Sequence, residues 1–227
     1  MTPFDKTTLG LLAVMSIALL AGGTAAVTFE SGPFLGSGIT PIQRTLALDA
    51  TRPSIGLSYD VAKAVLADCA AALRQTASLE MLFQGEDAPR RVAETCLALS
   101  TAATAAMPAS SYAWFVRAQA NLAMADIEEF NTDLTYSQLT GPNEQWVADL
   151  RVELAEANLT QLSPQAQAAH DRDLRLLVSS SVGLRNLARR YVTDVNFRER
   201  IADIVETMPE AAQRRFINNL QAEIARR

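Results

Sequence analysis

Histidine occurs once, at His170, and cysteine twice, at Cys69 and Cys96. A tetrahedral zinc site built from nitrogen and sulfur ligands needs more than this inventory, so no metal is expected. Lysine occurs only at Lys6 and Lys63, and every other basic residue is arginine. The 20 basic residues are outnumbered by 25 acidic ones, for a net charge of −5, which leaves no cationic excess to favour nucleic acid. Aromatics make up 6% of the chain, and no long alternation of apolar and polar residues occurs. A β-sandwich, whose strands favour aromatic and β-branched residues, is therefore disfavoured. The chain also lacks a glycine-rich phosphate loop, a nucleophile elbow and a paired metal motif. No catalytic residue, cofactor or small-molecule ligand is expected. No motif gives His170 an acidic or cysteine partner, and it reads as a structural histidine.

Apolar residues reach 49%, many of them alanine, which suits closely packed helices. Residues 8–28, TLGLLAVMSIALLAGGTAAVT, carry no charge. An α-helix of about 20 such residues crosses roughly 30 Å of hydrocarbon. Lys6 and the amino terminus precede the run, with Asp5 opposing them, and the next basic residue after it is Arg44. The charge distribution places residues 1–7 in the cytoplasm and the rest of the chain on the export side. Two fates remain open for 8–28: a retained signal anchor, or a signal peptide cut near Thr24-Ala25-Ala26. Residues 29–54 contain Gly32-Pro33, Gly36, Gly38, Pro41 and Pro53 and read as a linker, with a short helical turn over 42–48.

From residue 55 to 227 the pattern is helical. Leu57, Val61, Val65, Cys69 and Leu73 recur every four residues, with Ser58 as the expected N-cap. Asp87 and Pro89 open a second helix with Val92, Cys96, Leu99 and Ala103 on its stripe. The two cysteines stand on these stripes at similar distances from a turn near Leu82–Phe83. In an exported protein that placement favours a Cys69–Cys96 disulfide; two buried thiols are the alternative. Further helices are expected from Asn143 through Trp146 to Leu159, from Ser163-Pro164 to Leu177, over 182–192, from Asn196 to Met208, and after Pro209. This predicts an all-α chain: one membrane helix, then about eight helices in an α-solenoid.

The stretch Ala113–Pro142 has the offsets of a tetratricopeptide unit, a helix–turn–helix of about 34 residues. Trp114, Ala118, Leu134 and Gly141-Pro142 stand at its motif positions. Arg117, Asn121 and Phe130 depart from it, standing where leucine, an aromatic and a small residue are usual. In this register Tyr112, Phe115, Gln119 and Leu122 face a concave side and are the candidate partner-binding residues. The acids Asp126, Glu128, Glu129 and Asp133, and the arginines 185, 189, 190, 198 and 200, read as solvated faces.

Taken together, Cys69 and Cys96 on paired helices, PASSYAW at 108–114 and SQLTGP at 137–142 resemble a family of small membrane-anchored, tetratricopeptide-like proteins of bacterial exopolysaccharide loci. The resemblance covers the chain after about residue 50. It implies a non-catalytic scaffold in the inner membrane, with its helical domain in the periplasm and its partners in polysaccharide synthesis or export. Two alternatives belong to other classes. One is a helical enzyme acting on periplasmic glycan, which needs two carboxylates about 5–9.5 Å apart, with Glu128 and Glu153 as candidates. The other is a secreted helical-repeat binding protein released by signal cleavage.

Overall fold

The computed structural model describes residues 6–31, 38–48 and 50–226. They contain twelve α-helices and one short 3-10 turn, and no strand. The chain divides into two compact units, 1–102 and 103–227. Each is described by itself.

Unit 1 begins with α1 (Lys6–Ser31), 26 residues long, or about 39 Å at 1.5 Å per residue. Its most apolar 18-residue window has a mean hydropathy of 2.0, and none of that window is buried in the fold. Helix α1 is thus long and apolar enough to span a membrane, and it runs three residues past the uncharged run. Helix α2 (Pro41–Ala47) occupies the turn expected over 42–48, with Thr40 as its N-cap. It packs on α3 (Tyr59–Leu73) through buried Ile42 and the Arg44–Asp68 ion pair. Ser58 caps α3 as expected. Helix α4 (Leu79–Phe83) is an additional short element in which only Met81 is buried. Helix α5 (Ala88–Ala106) follows, and the division between the units falls within it. Val92, Cys96, Leu99 and Ala103, the stripe read from the sequence, are each 0% exposed. The Sγ atoms of Cys69 and Cys96 lie 2.31 Å apart with Cα atoms at 5.4 Å, a disulfide-distance pair.

Unit 2 contains α6 (Ser111–Ala123), α7 (Ile127–Thr140), α8 (Gln145–Ala157), α9 (Pro164–Ser179), α10 (Ser181–Thr193), α11 (Val195–Glu206) and α12 (Glu210–Ile224). Ser110 caps α6 and Asp126 caps α7, their side chains accepting the Ala113 and Glu129 N–H groups. The intervening Ala125 takes a left-handed φ of 61°, which turns the chain sharply between them. The stretches PASSYAW and SQLTGP meet in space. The Ser137 hydroxyl donates to the Ser111 carbonyl at 2.7 Å, and a Cβ at Gly141 would stand 2.5 Å from Ser111 Cβ. Only glycine allows α7 to end this close to the start of α6.

Helix α6 pairs with α7 and α8 with α9, while α7 lies on α9 and α6 touches α8. Phe130, Leu134, Ala118, Ala155 and Ala166 fill the space between these hairpins. A second core joins α8 and α9 to α10–α12 through Leu174, Leu177, Leu187, Phe197, Ile201 and Phe216. Two cap assignments move. Glu144 rather than Asn143 precedes α8, and Asp194 rather than Asn196 caps α11 by accepting the Asn196 and Phe197 N–H groups. Trp146, expected on the inward stripe of α8, is largely exposed, its ring 4.9 Å from that of Tyr112.

Candidate functional site

The four residues expected to face a concave surface do not form one. Tyr112 and Gln119 are each 7% exposed and Phe115 1%, while Leu122 is half-buried against the core of the α6–α7 hairpin. Helix α6 is covered on nearly every side: Ala113, Ala118 and Ala120 are each 0% exposed, and small side chains let neighbours close in. Tyr112, Phe115 and Gln119 are therefore interior, with Tyr112 stacked on Phe115 and its ring tilted at 48° to that of Trp146.

The departures from the repeat pattern explain one another. Arg117 Nε donates to Asp133 Oδ2 at 2.8 Å and its Nη2 to Oδ1 at 2.5 Å; Asn121 Nδ2 donates to Oδ2 at 2.8 Å. Asp133 is 0% exposed; burial pushes its carboxyl pKa up, and the Arg117 and Asn121 donors counter part of that rise. The guanidinium of Arg117 also lies 4.5 Å above the Trp114 ring, and Trp114 stacks on Tyr136 at 4.9 Å and 24°. Trp114 is pinned further by donating its Nε1–H to the Pro108 carbonyl at 2.8 Å. A ladder of four side chains thus runs from a buried carboxylate to Tyr136, which is 47% exposed. No apolar stripe reveals this ladder. Its sequence signal is a base at 117 and an amide at 121, where the repeat has apolar residues, facing one acid on the next helix.

Tyr136 stands on the wall of a groove of about 710 Å³ between α7 and the turn that leads into α9. Ile127, Tyr136, Leu139 and Leu162 give it apolar character, and Thr132, Thr135, Gln161 and Gln165 supply uncharged polar groups. Glu128 is its only charged lining residue. Asn131 holds the groove floor by donating to the Ile127 and Gln161 carbonyls and accepting the Ser163 N–H at 2.6 Å. Leu139, on the outer turn of α7, is 58% exposed.

Asp126, Glu128, Glu129, Arg185 and Arg189 are exposed as expected, whereas other charged side chains turn inward. Arg151 is 1% exposed and forms a fork with Asp173 at 2.6 and 2.7 Å, while its remaining donors reach the Ser137 and Gly141 carbonyls that end α7. His170 Nε2 lies 2.7 Å from Glu156 Oε1, and Arg200 Nε donates to the same oxygen at 3.0 Å. Burial pushes the Glu156 carboxyl up, but the His170 and Arg200 hydrogen bonds outweigh it and hold its pKa at about 2. Ionised Glu156 requires His170 to carry its proton on Nε2. With His170 4% exposed, this pair ties α8 to α9 and does not open to solvent. Arg190 and Arg198, read as part of a solvated face, pack on Phe197 and Tyr191. Among the described residues, no three His, Cys, Asp or Glu side chains gather as a metal site. No family model matches the chain, and neither the curated proteins nor the solved structures give a match.

Proposed function

We propose that this chain is a single-pass, membrane-anchored helical scaffold whose C-terminal part lies on the export side and binds a protein partner. The apolar helix α1 supplies the anchor, and the charge around Lys6 sets the orientation. The pairing of α6 with α7 and α8 with α9, with α7 against α9, supports a tetratricopeptide-like solenoid. Export makes the Cys69–Cys96 pair a disulfide.

One observation carries the binding reading: the apolar, nearly uncharged groove with Tyr136 held in place at its wall. An aromatic already fixed by stacking loses little freedom on binding, which suits a contact anchor. The groove fits an uncharged, apolar-faced segment of a protein partner, because its single carboxylate offers no counter-charge pattern. The buried fates of His170, Glu156, Asp173 and Arg151 favour a structural over a chemical role for the strongest ionisable groups. The sequence resemblance to membrane-anchored proteins of exopolysaccharide loci directs the search for the partner to polysaccharide synthesis and export machinery.

The test has two parts. A reporter active only after export, fused after Arg227, is expected to be active; activity of a cytoplasm-only reporter there contradicts the topology. Leu139→Arg, at a groove side chain 58% exposed, is then expected to abolish co-purification of the partner at an unchanged melting temperature. Retention of the partner by that variant removes the groove from the account.

A further inference from the structure

Helix α1 does not end free. Glu30, in its last turn, reaches the start of α3: Oε1 accepts the Leu57 N–H at 2.9 Å and Oε2 accepts the Ser58 hydroxyl at 3.1 Å. A carboxylate suits that position, because it lies just ahead of the N-cap of α3, near the positive end of the helix dipole. Ser58 supplies the local cap by accepting the Val61 N–H at 3.3 Å. Gly56 permits the close approach. Its φ is +75°, and a Cβ there would stand 2.4 Å from Val61 Cγ1 and 3.5 Å from Glu30 Oε2. The stretch that reads as a linker in the sequence is therefore bypassed by a direct clasp within unit 1.

The side chains flanking the clasp are apolar and exposed: Phe29 beside Glu30, and Leu57 and Tyr59 on either side of Ser58. Water is a poor environment for such a group. A bilayer interface is a good one, since aromatic rings favour the headgroup level and apolar side chains bury below it. Phe29 belongs to the apolar helix α1 itself, and the Glu30 hydrogen bonds hold Leu57 and Ser58 at the end of that helix. That continuity identifies the occupant as the lipid that α1 crosses.

We propose that the Glu30 clasp seats the start of α3 on the bilayer, with Phe29, Leu57 and Tyr59 in the headgroup–acyl boundary. The helical unit is then held at a set height on the membrane instead of swinging on a tether. This rests on the reading of α1 as a retained span.

The test uses the full chain in vesicles of phosphatidylethanolamine and phosphatidylglycerol, with the native cysteine pair oxidised. Nitroxide labels on Leu19→Cys, Leu57→Cys and Arg226→Cys report depth through their relative accessibility to oxygen and to a nickel chelate. Leu19 is expected deep in lipid, Arg226 in water, and Leu57 shielded from nickel at least two-fold relative to Arg226. Adding Glu30→Ala is expected to raise nickel access at Leu57 to the Arg226 level and leave Leu19 unchanged. Glu30→Gln, which keeps a carbonyl acceptor, is expected to retain the shielding. Leu57 as open to nickel as Arg226, with Leu19 still deep, overturns the seating and leaves the span intact. Shielding at Leu57 that survives Glu30→Ala overturns the clasp. An aqueous Leu19 contradicts the span itself.

Discussion

Unit 1 buries no charged side chain among its described residues, whereas unit 2 buries Asp133, Arg151, Glu156, Asp173 and the titratable His170. The interior of unit 1 is alanine, valine and leucine around the Cys69–Cys96 pair. Unit 2 has apolar cores too, but charge networks join its helices: Arg117 with Asp133, Arg151 with Asp173, and Glu156 with His170 and Arg200. The difference teaches how each unit is specified. Apolar stripes fix which face of a helix turns inward but tolerate sliding. A fork such as Arg151–Asp173 has one productive geometry, and a misplaced helix would leave a charge buried alone.

Breaking the comparison at its strongest point means removing one charge. Arg151→Met leaves the Asp173 carboxylate buried without its partner, an expected loss of about 3–5 kcal/mol. Denaturant unfolding of the full chain measures it. Replacing both partners, Arg151→Met with Asp173→Leu, is expected to restore most of that loss, because the penalty comes from the orphaned charge and not from the missing pair. In unit 1 the matching cut is the cysteine pair. Cys96→Ala is expected to cost about 3.5 kcal/mol by loop-closure entropy, and to leave thermal unfolding followed by Trp114 and Trp146 largely in place. Unchanged stability in the oxidised protein would mean that the pair carries no cross-link.

A smaller and more selective effect lies in pH. The folded protein holds the Glu156 carboxyl at a pKa of about 2, below the ordinary glutamate value of 4.5. Its contribution to stability is therefore complete above pH 4.5 and lost as pH falls through about 2. A shift of this size corresponds to about 3 kcal/mol. Wild-type stability is expected to drop across that window, and Glu156→Gln to flatten the drop while lowering stability at neutral pH. An identical acid limb in the variant would assign the drop to other carboxylates.

Much of the helical order was legible because its signals are local. Ser58 and Ser163 each place a hydroxyl before an apolar period, and each caps the helix that follows. The mirrored positions of Cys69 and Cys96 were legible for the same reason. Tyr112, Phe115 and Gln119 were read as surface because a repeat register says which side of α6 is concave, not whether neighbours cover it. Tyr112 and Phe115 are buried in a helix covered on nearly every side, and the exposed aromatic is Tyr136 on the next helix. Arg185 and Arg189 are exposed as read, but a one-dimensional charge run cannot show that Glu156, 44 residues before Arg200, waits inside for that arginine. Long-range pairing of opposite charges has no period to detect.

The central claim is that the α7 groove receives a protein partner. A photoreactive benzoylphenylalanine placed at Leu139 in the groove, and separately at Glu153 on the exposed side of α8, tests it in the producing cell. Irradiation is expected to give one discrete cross-linked product from position 139 and none from 153. No product from 139, or the same products from both positions, would contradict the groove as the binding surface.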